Sequence, residues 1–380
     1  MKRVLMLFPM SFEPYQGRYL RAYNEARTLI EGGYQVTIVG WDRSGKSTPY
    51  EIRDGIRIER ISEAAPDRSG VNSLPNFFRF CAKVLSHVKK SRFDLIHCHN
   101  LQLLPIGILL KRLKKVPLIF DSCEPDYFAL YPRRLQSTVK FLERFMANRA
   151  DAILVHNDYQ VKKYRSIGHQ SVTLIGSYPT KEMILRPAER PSRNGKVILG
   201  RIGSVYQDNG IEEILEGFRL ISRTVENVEL LFAGRVFDSY QKKFDQLTKG
   251  MENKVKVLGA FNCHDMPELY SQIDVSIIIY HRSLWFKNIT PTKFFDSLAM
   301  GVPVIVSDMG GLKEIIGQYK CGIVVNERNP EEVAEAIKKM SVSQALRHEM
   351  ALNGLRAVEE NYNWDRMKEK LLNIYRTLLP

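Results

Sequence analysis

Lys293 stands where a cation is intrinsically misplaced. The stretch LWFKNITPTKFFDSLAMGVPVIVSDMGGLKE, within residues 284–314, contains a helix whose ends are written in its residues. Thr290 is suited to cap it, Pro291 to open its first turn and Gly301 to end it, and Pro303 blocks any continuation. A lysine in the first turn faces the positive end of the helix dipole and the free backbone N–H groups. An anion bound at the helix start reverses that sign, because ammonium and N–H groups then point at it together. Asp296, three residues on and on the same face, can accept from ligand hydroxyls, and Asn288 in the preceding loop adds a neutral hydrogen-bonding group. Phosphate with hydroxyls on both sides is the outline of a nucleotide sugar. The alternative is a solvated Lys293–Asp296 pair on an ordinary helix. Against it, the Asp308-Met309-Gly310-Gly311 turn opens another helix directly after a buried strand, 302–307, and ligands of parallel sheets sit at such strand ends.

Three further segments could carry chemistry. Gly203-Ser204 follows an apolar strand and can cradle phosphate through backbone N–H groups. Arg201 and Arg235 are available cations beside it, although each taken singly also reads as a solubilising surface residue. His97-Cys98-His99-Asn100 closes another apolar run, and strand alternation puts both histidines on one side. No acidic or Cys cluster nearby in sequence completes a tetrahedral set, so no metal site is expected there. Asp121-Ser122-Cys123-Glu124 ends the next strand with two carboxylates, and helix capping is an open alternative for Asp121.

These segments together resemble family 4 retaining glycosyltransferases (glycosyl transferases group 1), and the resemblance covers nearly the whole chain. The family signature is a Glu, seven residues, a second Glu, a small-residue helix, Gly-x-Pro-Val and a later Gly-Gly. Aligned on Gly301-Val302-Pro303-Val304, the second Glu is Asp296 and the first is Asn288; some relatives also carry Asn, followed by Pro-x-Lys and an aromatic pair, as in Pro291, Lys293, Phe294 and Phe295. Gly203-Ser204 matches the family's Gly-Arg, while Ser204 and Asn209 stand where the usual diphosphate-binding Arg and Lys would be. Asp121 to Glu124 resembles Asp-x-His-Glu, with Cys123 in place of the imidazole.

The resemblance implies an α/β chain of GT-B fold, with two Rossmann-like doubly wound parallel-sheet domains facing a central cleft. It implies a nucleotide-sugar co-substrate and no cofactor or metal. It places donor binding on Gly203, Ser204, Arg201, Arg235, Pro291, Thr292, Lys293 and Asp296. Catalytic roles fall on Asn288, Lys293, Asp121 and Glu124, and the acceptor side on Gly17, Arg18, His99 and Cys123, with His97 structural. A nucleotide-sugar epimerase of the same fold and a catalytically silent sugar-nucleotide-binding protein remain the competing classes.

The elements that must position these residues alternate as strand and helix. Residues 2–8, 35–39, 94–98, 116–121, 152–155 and 172–175 read as strands, with helices at 18–30, 76–90, 101–111 and 134–148 between them. The loop 9–17 lacks GxGxxG, which excludes a nicotinamide or flavin site of that kind. Residues 42–75 are polar and turn-rich, with short edge strands. The Pro- and Gly-containing stretch 180–196 reads as a linker. A second alternation follows, with strands at 197–202, 228–233, 255–258, 275–280, 302–307 and 321–325. The expected domains are 1–180 for the acceptor and 181–363 for the donor, with a closing helix, 364–380, crossing back onto the first.

At 380 residues with 44% hydrophobic and 26% charged, the composition is globular. Five cysteines without CxxC spacing, and no signal-like N-terminal stretch, favour a reducing cytoplasm over a disulfide framework. The net charge of +14 is uneven: residues 1–180 hold 28 Lys+Arg against 16 Asp+Glu, and residues 181–380 hold 28 against 26. No nucleic-acid-binding motif accompanies the excess, which leaves an anionic membrane surface as the candidate partner and a glycan or lipid-linked molecule as the expected acceptor. The aromatic face at Phe77 and Phe80 is expected to pack in the core, with shallow membrane insertion as the lesser alternative.

Overall fold

The computed structural model describes residues 1–13, 20–65, 74–184, 195–222 and 224–380. The chain forms two compact units, Met1–Ser177 with Met367–Pro380, and Tyr178–Arg366. The first holds β1 (Arg3–Phe8), β2 (Gln35–Asp42), β3 (Tyr50–Arg53), β4 (Ile56–Ser62), β5 (Leu95–His99), β6 (Leu118–Ser122), β7 (Ala152–Val155) and β8 (Val172–Leu174). Their order is β3-β4-β2-β1-β5-β6-β7-β8, parallel throughout except for the β3–β4 hairpin. That hairpin turns at Asp54-Gly55, both with positive φ, as a two-residue turn between twisted strands demands.

Between these strands run α1 (Leu20–Glu31), α2 (Leu74–Val88), α3 (Leu104–Lys114), α4 (Arg133–Ala147) and α5 (Asp158–Ser166). α2 to α5 share one apolar cluster with Ile96, Cys98 and Phe120 of the sheet. The chain moves one way along the sheet from β4 to β8 and the other way from β1 to β4. Right-handed crossovers therefore put α1 on the opposite face. α3 starts later than its sequence pattern suggests: Asn100 has φ 67 and residues 101–103 form a 3-10 turn. Pro105 then sits in the first turn of α3, where its missing N–H costs nothing.

The second unit holds β9 (Val197–Ile202), β10 (Val228–Ala233), β11 (Val255–Gly259), β12 (Val275–Ile278), β13 (Val304–Ser307) and β14 (Gly322–Val325), in the order β11-β10-β9-β12-β13-β14, all parallel. Its helices are α6 (Ile211–Ile221), α7 (Asp238–Thr248), α8 (Met266–Ser271), α9 (Thr292–Ala299), α10 (Leu312–Tyr319), α11 (Pro330–Val342) and α12 (Gln344–Glu360). α13 (Trp364–Leu378) begins in this unit, and from Met367 onward belongs to the first. There Leu372 lies so close to Gly32 that a Cβ on that glycine would come within 2.6 Å of it, and Tyr375 meets Tyr34 edge-on at 5.5 Å.

The start of α9 differs from the sequence expectation. Pro291 is extended, with ψ 129, and occupies the cap position itself, while the Thr290 hydroxyl donates to the Gly310 carbonyl at 2.7 Å. The tie follows from packing, because a Cβ on Gly310 would lie 2.2 Å from the Ile289 carbonyl oxygen. Thr290 thus fastens two loops together instead of capping the helix. β13 likewise begins at Val304 and not at Val302, since Gly301 (φ 61) and Pro303 delay the ladder. Most of the linker stretch, 185–194, lies outside the described residues.

Candidate active site

In the second unit β9 and β12 lie side by side, although the chain leads away from β9 in one direction and from β12 in the other. Such a reversal leaves a crevice at the carboxyl ends of the two strands. From the end of β9 comes Arg201, and from just beyond it Gly203 and Ser204; just beyond β12 comes Tyr280. Gly203 (φ 120) donates to the Ala233 carbonyl at 2.7 Å, and a Cβ on Gly234 (φ 146) would approach Gly203 O to 2.3 Å. Only glycine serves at either place. A Cβ on Gly203 would also meet Lys293 Nζ at 2.5 Å and Arg201 NH1 at 3.6 Å, so both cations converge on that bare backbone.

Lys293 lies in the first turn of α9 and donates to the Tyr280 hydroxyl at 2.7 Å. The Arg201 guanidinium lies 5.2 Å from the centre of the same ring. Arg201 is wholly buried; its NH1 donates to the Ile202 carbonyl at 3.1 Å, and among the described residues its Nε and NH2 have no hydrogen-bond partner. A buried cation with unused donors is costly unless an anion completes it. Burial opposes ionisation of Tyr280, but Lys293 and Arg201 outweigh it and bring the phenol down to about 8. Burial likewise lowers Lys293, and pushes Asp296, one turn along α9, up to about 7 against the opposing charge of Lys293. Asn209, in place of a family cation, donates to the Ser204 carbonyl at 2.7 Å and so shapes the loop. Near-ultraviolet absorbance should show one phenol titrating at about pH 8. That signal should vanish in Tyr280→Phe and move upward when a nucleoside diphosphate occupies the two cations. A titration unaffected by the substitution would show that Tyr280 does not sit between them.

Of the other donor-side candidates, Pro291 and Thr292 open α9, and Asn288 is half-buried in the loop before it. Arg235 does not join the group. It is exposed, pairs loosely with Asp238 at 3.6 Å and stacks on Phe237, the surface alternative named above.

The first unit has its own reversal, between β1 and β5. His99 on β5 is directly opposite Asp121 on β6, and His99 Nδ1 lies 3.1 Å from Asp121 Oδ2. His97, one pleat back, stacks on His99 at 4.5 Å and shares a 2.8 Å hydrogen bond between Nδ1 and the Tyr375 hydroxyl of α13. α1 adds Arg21, whose NH1 donates to Asp121 Oδ1 at 2.8 Å and whose Nε lies 3.1 Å from Glu25. The expectation that no acidic or Cys cluster completes a tetrahedral set with the histidines is thus corrected: Glu25, His97, His99 and Asp121 bring their ligand atoms within 4.8 Å of one another. The residues are far apart in sequence, and only the sheet register and α1 unite them. Arg21 already stands among these carboxylates as their counter-ion.

Burial disfavours the charge on Asp121, yet Arg21, His99 and His156 hold its carboxyl well below the usual range. Burial raises Glu25 to about 7 despite Arg21, and raises Glu124 to about 7. Cys123 is half-buried and its thiol is pushed well up, so it stays neutral. His156, at the end of β7, contacts Arg21 and forms a ligand-distance group with Asp121 and Cys123. It thus supplies an imidazole beside the place where Cys123 lacks one; burial lowers it to about 3 and keeps it neutral. Gly17 and Arg18 lie outside the described residues. A cleft of about 800 Å³, lined by Arg3, Gln35, Arg57 and Arg92 among others, opens at the amino ends of these strands and is remote from this chemistry.

Sequence reasoning missed Tyr280, Arg21, Glu25 and His156. One signal for Arg21 was present: it is a cation in the first turn of a helix, the same anomaly that singled out Lys293.

Residues 185–356 match the family described as glycosyl transferases group 1, and residues 17–175 match the glycosyl transferase 4-like domain. An uncharacterized glycosyltransferase of Methanocaldococcus jannaschii is 23% identical over 380 residues, 92% of each chain. The sucrose-phosphate synthase structure from Thermosynechococcus elongatus superposes with a TM-score of 0.82 at 16% identity, covering 100% of this chain and 99% of that one. The Anabaena protein HepE, in complex with UDP-glucose, superposes with a TM-score of 0.74 at 15% identity, covering 99% and 100%. Two doubly wound parallel-sheet domains of this kind define the GT-B class of glycosyltransferases. Within that class, the chain belongs to family 4, the glycosyl transferases group 1.

Proposed function

We propose that the protein is a retaining glycosyltransferase that moves a sugar from a nucleotide-sugar donor to a glycan or lipid-linked acceptor. The observation that carries this reading is the convergence of Arg201 and Lys293 on the bare backbone of Gly203 at the switch point of the second unit. Two cations, the Gly203-Ser204 loop and the free N–H groups of α9 would hold the donor diphosphate and stabilise it as it leaves. Asp296 would bind donor hydroxyls, and Asn288 would act as a neutral positioning group.

In a retaining transfer the acceptor hydroxyl attacks the anomeric carbon from the leaving-group face. The bond from that carbon to the phosphate oxygen breaks as the new glycosidic bond forms, and the hydroxyl proton passes to the departing phosphate oxygen. Glu124, His99, His156 and Cys123 would line the acceptor side, with Asp121 holding Arg21 and His99 in place. UDP-sugars are the first donors to try, since HepE was captured with UDP-glucose. A thermal-shift panel of nucleotide sugars, followed by product analysis, tests the reading: transfer to an acceptor supports it. Epimerised free nucleotide sugar, or binding with neither transfer nor donor hydrolysis, would overturn it.

Because the leaving diphosphate is met by side-chain cations and N–H groups, transfer should proceed without a divalent ion. Activity is expected to survive excess EDTA. Abolition by chelator with rescue by Mg²⁺ or Mn²⁺ would remove this mechanism. The excess positive charge of residues 1–180 further supports an acceptor presented at an anionic membrane surface. Among the described residues no helix is long and apolar enough to cross a membrane.

A further inference from the structure

α2, α3 and α4 are neighbours over one face of the first sheet, and together they carry nine lysines and arginines against one carboxylate, Glu143. Glu143 is buried and engaged by Lys163 and Tyr164, so the outer faces of these three helices offer no negative charge. Phe78 of α2 is 66% exposed, but α4 gathers three exposed apolar residues on consecutive turns. Its apolar residues do not all face the core: Phe141 is 66% exposed, Phe145 48% and Leu142 43%. The two phenylalanines stack on each other with centroids 6.2 Å apart, one helical turn between them. Lys140 and Arg144 flank them, Arg133 and Arg134 precede them in the first turn, and Arg149 lies over the Phe145 ring at 3.4 Å. Among the described residues, none of Arg133, Arg134, Lys140 and Arg144 is in an ion pair with a carboxylate. On the adjoining α3, Leu113 is also exposed, next to Arg112 and Lys114.

We propose that the outer face of α4 is a membrane-docking surface, seated on anionic lipid with Phe141, Leu142 and Phe145 inserted at headgroup depth. The inference rests on the membrane-side acceptor proposed above, and names where the membrane meets the protein. The physical case is the pairing of two features. Exposed aromatic rings gain from leaving water, and a set of cations that no described carboxylate neutralises gains from phosphodiester headgroups; Lys140 lies over the Phe128 ring, at 4.0 Å. An ordinary solvated helix has interspersed charges of both signs, and an ordinary core helix hides its rings. The face at Phe77 and Phe80 packs in the core as expected, and its lesser alternative falls away: Phe80 is buried and Phe77 packs on Trp41, so neither is free to insert.

Sedimentation of the full-length protein with phosphatidylglycerol-containing vesicles, and with pure phosphatidylcholine vesicles, tests this. Wild type should bind only the former, less as salt rises. Phe141→Ser with Phe145→Ser should weaken that binding roughly tenfold or more while leaving thermal stability and nucleotide affinity unchanged, since the rings are exposed. Phe141→Trp should show a blue-shifted emission on anionic vesicles. If the double variant sediments like wild type and the Trp emission stays put, the α4 surface is wrong, although the general membrane reading survives. If wild type ignores anionic vesicles, both fall and the donor site stands. A dimer in solution that the double variant dissolves, without vesicle binding, would give the face to a second copy of the chain and overturn the proposal.

Discussion

Lys293→Ala should weaken binding of the free nucleoside diphosphate and of the nucleotide sugar by about 1.5–3 kcal/mol, the worth of a charge-assisted hydrogen bond. That is roughly ten- to a hundredfold in affinity. Arg201→Met should lose affinity by a similar route, but with the opposite companion effect on stability. Arg201 is buried, and among the described residues its Nε and NH2 have no partner, so its charge is a liability in the ligand-free fold. A methionine of similar length relieves that cost, and the variant should melt no lower than wild type while binding diphosphate poorly. Titration calorimetry and thermal unfolding on the two variants decide the matter. Unchanged diphosphate affinity in Lys293→Ala would remove Lys293 from the donor site; an Arg201→Met variant that is both unstable and fully competent would show that Arg201 is structural.

The contrast between these cations and Arg235 shows what was legible in the sequence. Lys293 could be singled out because helix polarity is a local property: a cation in a first turn is anomalous whatever surrounds it. Strand–helix alternation was equally local, and the parallel sheets of both units follow from it. Arg201 falls inside the strand expected at 197–202 and Arg235 just after the one at 228–233, but neither position says by itself which side chain is enclosed. Burial separates them: Arg201 is inside β9, whereas Arg235 is in the loop after β10 with its side chain in solvent. The same limit hid the histidine cluster, because Glu25 and Asp121 reach His99 only through α1 and the β5–β6 register. It also hid the exposed aromatic face. Phe77 and Phe80 read as core-packing from periodicity, and the core does cover that side of α2, but the outward Phe141 and Phe145 of α4 lay on a pattern read simply as helix.

The second large effect concerns Arg21. Its guanidinium is the counter-ion for two fully buried carboxylates, Asp121 and Glu25, and it touches His156 as well. Arg21→Met removes the cation and leaves two buried carboxylates without it. Breaking a buried pair from one side costs about 3–5 kcal/mol, so the first unit should unfold at markedly lower urea concentration or temperature. The pH dependence separates this account from a packing defect. Burial lifts the Glu25 carboxyl from its ordinary range to about 7 in the folded protein, so its burial erodes stability as pH rises through that window. Arg21 restrains that rise, and without it the window extends further upward. The deficit of Arg21→Met should therefore be larger at about pH 8 than at about pH 5.5, where Glu25 takes up a proton and half of the uncompensated charge disappears. Asp121 runs the other way: its depressed pKa contributes stability above the usual carboxylate range, and that contribution is lost in the variant at both pH values. A double variant, Arg21→Met with Glu25→Gln, should recover much of the loss at the higher pH and little at the lower. A deficit independent of pH, untouched by Glu25→Gln, would mean that Arg21 acts through shape alone and that the buried charges of this unit are balanced in some other way.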